Sequence, residues 1–136
     1  MAVTPVTISL PIADRRTSFR FYRDGLAFEP VGEAADDGVP EPLQFALNDG
    51  VRLMLIPAGG FGWVIGGRDV AGRGVSECVL DLPAATDNAV NTLFERAHRA
   101  GAEIISAPDR QPWGYTATFA DPDGHLWMVT SPISSY

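Results

Sequence analysis

The chain offers few side chains of the types that carry chemistry. It has one cysteine and two histidines, Cys78, His98 and His125, and no His-x-x-x-His pair of the kind that seats a metal on a helix. No Gly-x-Ser-x-Gly is present to form a nucleophile elbow. The run Gly59–Arg68 is rich in glycine but lacks the Gly-Lys-Ser/Thr ending of a phosphate loop. Glu77 is the carboxylate of most interest. It opens the alternating segment Glu77-Cys78-Val79-Leu80-Asp81-Leu82, which reads as a half-buried strand with Glu77, Val79 and Asp81 on one side. A carboxylate enclosed by apolar groups is a candidate general base, because burial raises its pKa toward neutrality. Cys78 has the opposite, apolar parity and reads as a buried, inert thiol. His98 falls near a helix end, where a cation meets the helix dipole favourably, and His125 follows an Asp-Gly turn; both are expected to be structural.

The elements that must position these groups come from an ordinary globular composition. Of 136 residues, 46% are hydrophobic and 20% charged, which excludes a disordered tail, a collagen-like rod and a coiled coil. Ten basic residues against 17 acidic ones leave a net charge of -7. Such a chain repels phosphate backbones and anionic lipid, so neither nucleic acid nor membrane is expected as a partner. No apolar run approaches the roughly 18 residues of a membrane span. The first residues do not read as a secretory signal, and a single cysteine leaves no internal disulfide, so a cytoplasmic protein is expected.

The chain also repeats itself. At an offset of 74 residues, Phe45-Ala46-Leu47-Asn48-Asp49-Gly50-Val51-Arg52-Leu53-Met54-Leu55 falls on Phe119-Ala120-Asp121-Pro122-Asp123-Gly124-His125-Leu126-Trp127-Met128-Val129. Each copy reads strand, Asp-Gly turn, strand. Before the first hairpin, Thr7–Ile12 alternates as a strand. Asp14 then caps a helix carrying Phe19, Phe21 and Tyr22, and Gly25 closes it before Leu26-Ala27-Phe28 resumes extended structure. Before the second, Thr86 or Asp87 opens a helix with Val90, Leu93, Phe94 and Ala97 on one stripe, stopped by Gly101 before Ile104-Ile105. The expected fold is α+β. Two tandem βαβββ modules, about residues 4–57 and 74–131, are joined by a glycine-rich connection, 58–73, in one domain over 1–136.

Strand parity separates two faces. Ile8, Leu10, Ile12, Leu53, Leu55, Cys78, Leu80, Leu82, Trp127 and Val129 should lie under helices. Thr7, Ser9, Arg52, Met54, Glu77, Val79, Asp81, Leu126, Met128 and Thr130 share the other face. Polar groups set among large apolar ones suit a ligand cavity better than a packed core or a solvated surface. The Gly59–Arg68 run reads in two ways: a mobile loop offering Phe61 and Trp63 to a ligand, or a linker whose aromatics close the core. The acidic stretch Gly32–Pro42 reads as a solvated loop able to attract a cationic ligand.

These residues resemble the vicinal oxygen chelate superfamily, which includes glyoxalase I, extradiol dioxygenases and bleomycin-resistance proteins. The resemblance rests on Ser18–Phe28, on Ala97-His98-Arg99-Ala100-Gly101-Ala102, and on the Asp121-Pro122-Asp123-Gly124 turn with its following strand. It implies a curved mixed β-sheet around a cavity, with helices on the outer face. It also implies four inward positions for ligands of a divalent metal, falling here on Thr7, Met54, Glu77 and Met128. Only Glu77 suits such a cation, since thioethers prefer soft metals and one carboxylate does not hold a hard ion against water. No metal and no cofactor is therefore expected. The resemblance places Trp113 and Tyr115 near the cavity mouth, as candidates for stacking on a flat ligand.

The reading that follows is a metal-independent binding protein of the bleomycin-resistance type, sequestering a partly aromatic small molecule such as an antibiotic or metabolite. Its expected ligand contacts are Thr7, Ser9, Arg52, Met54, Trp63, Glu77, Trp113, Tyr115 and Met128. The alternatives are a cofactor-free lyase or isomerase with Glu77 as general base, or a glyoxalase-like enzyme with an atypical metal site. A homodimer is expected, because the resemblance implies modules paired about a two-fold axis.

Overall fold

The structure, a computed structural model, describes residues 4–132. It divides after Val70 into two compact units. The first runs β1 (Val6–Ile12), α1 (Arg15–Phe19), a π-helical turn (Arg20–Gly25), β2 (Glu29–Val31), β3 (Leu43–Asn48), β4 (Val51–Pro57) and α2 (Ala58–Val64). Its four strands form one sheet in the order β1-β4-β3-β2. β1 is parallel to β4 and the other pairs are antiparallel. The second runs β5 (Val79–Pro83), α3 (Asp87–Arg99), β6 (Glu103–Gln111), β7 (Gly114–Ala120) and β8 (Leu126–Ser131), with order β5-β8-β7-β6 and β5 parallel to β8. The two βαβββ repeats are thus present, each with its own four-stranded mixed sheet; neither sheet closes into a barrel.

Local chemistry explains where the helices begin. The Asp14 carboxylate accepts from the Thr17 amide and hydroxyl, both at 2.8 Å, and Thr86 Oγ1 accepts from the Ala89 amide at 3.1 Å. Each cap satisfies an amide that the first helical turn leaves orphaned. The end of the first helix differs from expectation. Gly25 does not close it with a left-handed turn. Instead the helix widens, Leu26 N donating to Phe21 O at 3.1 Å and Phe28 N to Tyr22 O at 2.9 Å, and Ala27 takes the left-handed conformation at φ 61°. The wider turn lets the consecutive Phe21 and Tyr22 both bury. Extended structure resumes only at Glu29.

Phe45 anchors the first core. Its ring meets Phe19, Tyr22 and Phe28 at centroid distances of 6.2, 5.7 and 6.4 Å, over fully buried Leu53 and Leu55. In the second unit Phe119, Trp127, Ala117 and Val129 are buried with Val90, Phe94 and Ala97 of α3. Polar ties pin α3 to the sheet. Tyr115 donates to Asn91 Oδ1 at 2.7 Å, Ser131 donates to Asp87 Oδ1 at 2.6 Å, and Arg110 pairs with the other oxygen of Asp87.

Three expectations are corrected here. Residues 58–64 are neither a loop nor a plain linker but helix α2, whose Gly60 packs closely on Ile56: a β-carbon there would stand 3.3 Å from Ile56 Cγ2. The alternating strand expected from Glu77 starts at Val79. Its first partner is Leu126, one residue past the Asp123-Gly124 turn, so residues 77 and 78 have no neighbouring strand to pair with. Cys78 is consequently exposed, not buried.

Candidate functional site

In each unit the face turned away from the helix gathers polar side chains around a methionine. Across the first sheet one row reads Val31, Gln44, Met54, Ser9, and the next reads Glu29, Ala46, Arg52, Thr7. Ser9, Gln44, Arg52 and Met54 are half-buried, and Thr7 is exposed. No hydrogen bond or ion pair joins the side chains of Thr7, Ser9, Gln44 or Arg52 to another of the described residues. Helix α2 adjoins this face through Ile56, which shares the parity of Met54. It carries Phe61 half-buried and Trp63 with 85% of its surface exposed.

In the second unit the corresponding rows are Val79, Leu126, Ala120, Glu103 and Asp81, Met128, Thr118, Ser106. Met128 and Thr118 are half-buried and Asp81 is exposed. One row further, Thr116 satisfies itself, donating to Val129 O at 3.1 Å and lying 2.9 Å from Thr130 Oγ1. Trp113, 59% exposed, sits in the two-residue turn joining β6 and β7.

Two expected members do not join these faces. Tyr115 stands opposite Ser131, and its hydroxyl bonds Asn91 on α3, so strand alternation puts it on the helix-covered side. Glu77 lies in a bend outside β5 and is exposed. The carboxylate that β5 does present beside Met128 is Asp81. The register makes Asp81 the counterpart of Ser9, since Ser9 pairs with Met54 as Asp81 pairs with Met128. A sequence signal for this exists: Leu10-Pro11 followed by the cap Asp14 matches Leu82-Pro83 followed by the cap Thr86, at an offset of two residues less than that of the hairpins. On that offset Val79, not Glu77, answers to Thr7.

The acidic stretch 32–42 is also less free than expected. Arg15 pairs with Asp37, reaches Glu41 Oε2 at 3.2 Å and donates to the carbonyls of Val39 and Pro40 at 3.0 and 2.5 Å. The Asp37 carboxyl is held below the usual carboxylate range by the Val39 amide and by Arg15.

Two helix-backed βαβββ units, each with a polar sheet face, define the fold class. The profile of the Glyoxalase/Bleomycin resistance protein/Dioxygenase superfamily matches residues 4–129, and the chain belongs to that superfamily. Among solved structures, a glyoxalase-related enzyme from Fulvimarina pelagi is 28% identical, with TM-score 0.80 over 97% of this chain and 93% of its own. The hypothetical protein SA1046 from S. aureus is 20% identical, with TM-score 0.79 over 95% and 94%. TnmS3, an antibiotic binding protein from Streptomyces sp. CB03234, is 24% identical, with TM-score 0.65 over 98% and 99%. No curated protein matches the chain.

The metal that names the wider family does not suit the residues present. Thr7, Met54 and Met128 supply a hydroxyl and two thioethers, and Glu77 stands outside the strand. Glu95 and His98 have Glu-x-x-His spacing on α3, but both are exposed. Among the described residues no three His, Cys, Asp or Glu come together in a group able to hold a metal ion. This donor set does not fit a hard or borderline divalent cation.

Proposed function

We propose that the protein binds a small, partly aromatic molecule, an antibiotic or a metabolite, on the polar sheet face of the first unit that is turned away from α1, without a metal, and that it works by sequestration. The observation that carries this reading is the row of half-buried, internally unpartnered polar groups beside Met54. Hydrogen-bonding side chains left partly desolvated and unsatisfied are costly unless something else meets them. A polarisable thioether beside them gives an adaptable apolar floor for a flat molecule. Among the described residues, Trp63 in the first unit and Trp113 in the second present exposed aromatic surfaces. The antibiotic-binding relative from Streptomyces supports the ligand class.

A cofactor-free lyase or isomerase with Glu77 as general base has less support, because Glu77 is exposed and lacks the burial such a base needs. Cytoplasmic residence and a homodimer belong to the same reading as the binding role.

A thermal-shift screen tests the proposal, using peptide antibiotics, flat aromatic metabolites and divalent metal ions. A ligand at a hundred times its dissociation constant stabilises by about 2.7 kcal/mol, well within reach of the method. Aromatic compounds are expected to raise the melting temperature and metals to leave it unchanged. A chelator-sensitive shift with a metal alone would replace this reading with the atypical metalloenzyme.

A further inference from the structure

All ten basic residues of the chain are arginines, and five of them have named partners. Arg15, Arg23 and Arg110 are in ion pairs. Arg16 and Arg73 donate to carbonyl oxygens of Asp37 and Pro122. Arg20, Arg68 and Arg99 stand exposed. Arg52 is different: it is half-buried, on the face turned away from α1, with no hydrogen bond or ion pair to any described residue. In a chain with 17 acidic residues, a partly desolvated guanidinium left unpaired is unexpected. Its strand neighbours in the ladder are Ala46 and Thr7, and the next row supplies Ser9 and Gln44. The carboxylate in its own row, Glu29, lies beyond Ala46 on β2, about 10 Å away at two strand spacings.

We propose that this face holds the anionic group of the ligand, a carboxylate or a phosphate, with Arg52 as its anchor, Thr7, Ser9 and Gln44 as further donors, and the ligand's apolar part on Met54. The inference rests on the small-molecule-binding reading above and names its ligand class. The planar fork of arginine matches both anions in a bidentate geometry, and partial burial strengthens the attraction relative to open water. The acidic stretch that suggested attraction of a cation is occupied, since Arg15 holds Asp37 and Glu41.

Calorimetric titration of the full chain with 1-naphthoate, 1-naphthyl phosphate and 1-naphthamide separates the cases. The wild type is expected to bind one of the two anions at least tenfold more tightly than the amide, and the tighter of the two identifies the group. Arg52→Gln should weaken that anion by about 10- to 100-fold, the scale of a lost charge-assisted pair, while leaving naphthamide within twofold. Arg52→Lys, which keeps the charge and loses the fork, should fall between the two and provides the test if the glutamine variant does not fold. Equal wild-type affinities for anion and amide, or an undiminished anion affinity in both variants, overturn the anchor while leaving the binding face intact. Failure of the wild type to bind any of the three at millimolar concentration overturns the binding face and the anchor together.

Discussion

At the scale of single residues, which side of the sheet a side chain occupies decides what replacing it does. Leu53 lies wholly in the first core, so Leu53→Ala should cost about 2–5 kcal/mol in chemical denaturation through the void it leaves. Leu80 has the same parity but is only half-buried in an edge strand, and Leu80→Ala should cost distinctly less. Reversal of that order would mean that parity does not track burial. Trp63, almost fully exposed on α2, packs against little, so Trp63→Ala should leave the melting temperature near that of the wild type. If Trp63 stacks on a flat ligand, the same change should weaken its binding by about 1–3 kcal/mol. An unchanged affinity in titration assigns Trp63 no part in binding. Ser9 and Asp81 show how repeats diverge: they hold equivalent register positions beside Met54 and Met128, yet one is neutral and the other a carboxylate.

At the scale of elements, the second unit depends on how its sheet meets α3. Gly114 opens β7 at φ 148°, and a β-carbon there would stand 2.3 Å from the backbone oxygen of Ser131. Gly114→Ala must therefore push β7 and β8 apart at their pairing end, at a cost of about 1–3 kcal/mol. A melting temperature equal to that of the wild type would contradict this. Asp87 ties α3 to β8 and β6. The Ser131 hydroxyl, and then the Arg110 guanidinium, hold its carboxyl below the ordinary carboxylate value. A carboxyl depressed on folding stabilises the fold above its unfolded pKa, near 3.9, and loses that contribution as pH falls through its folded value. Asp87→Asn should accordingly lower stability at neutral pH and flatten the decline below about pH 4. Parallel acid limbs in the two proteins would show that Asp87 does not carry this dependence.

At the scale of the whole molecule, two units of similar build follow one another in the chain, and the proposed binding role is expected of a homodimer. Light scattering at micromolar concentration should give twice the mass of the 14.6 kDa chain; the mass of one chain would exclude the dimer. The repeat, the βαβββ order, the cap at Asp14, the start of α3 at Thr86 or Asp87 and the apolar stripe of α3 were all legible from the residues, because each depends on local periodicity and on hydrogen bonds between near neighbours. The polar faces were legible for the same reason, since alternation assigns Thr7, Ser9, Arg52 and Met54 in the first unit, and Met128 in the second, to the side away from α1 or α3 wherever the strand is real. What periodicity could not decide was where β5 begins. That depends on the length of its partner β8, which starts at Leu126, and it moves Glu77 and Cys78 out of the sheet while leaving Asp81 beside Met128. Nor could it decide that Tyr115 reaches Asn91 across to α3, or that Arg15 claims the acidic stretch. It was equally silent on a glycine-rich segment becoming helix α2. These outcomes rest on contacts between residues distant in the chain, and only the folded structure brings those partners together.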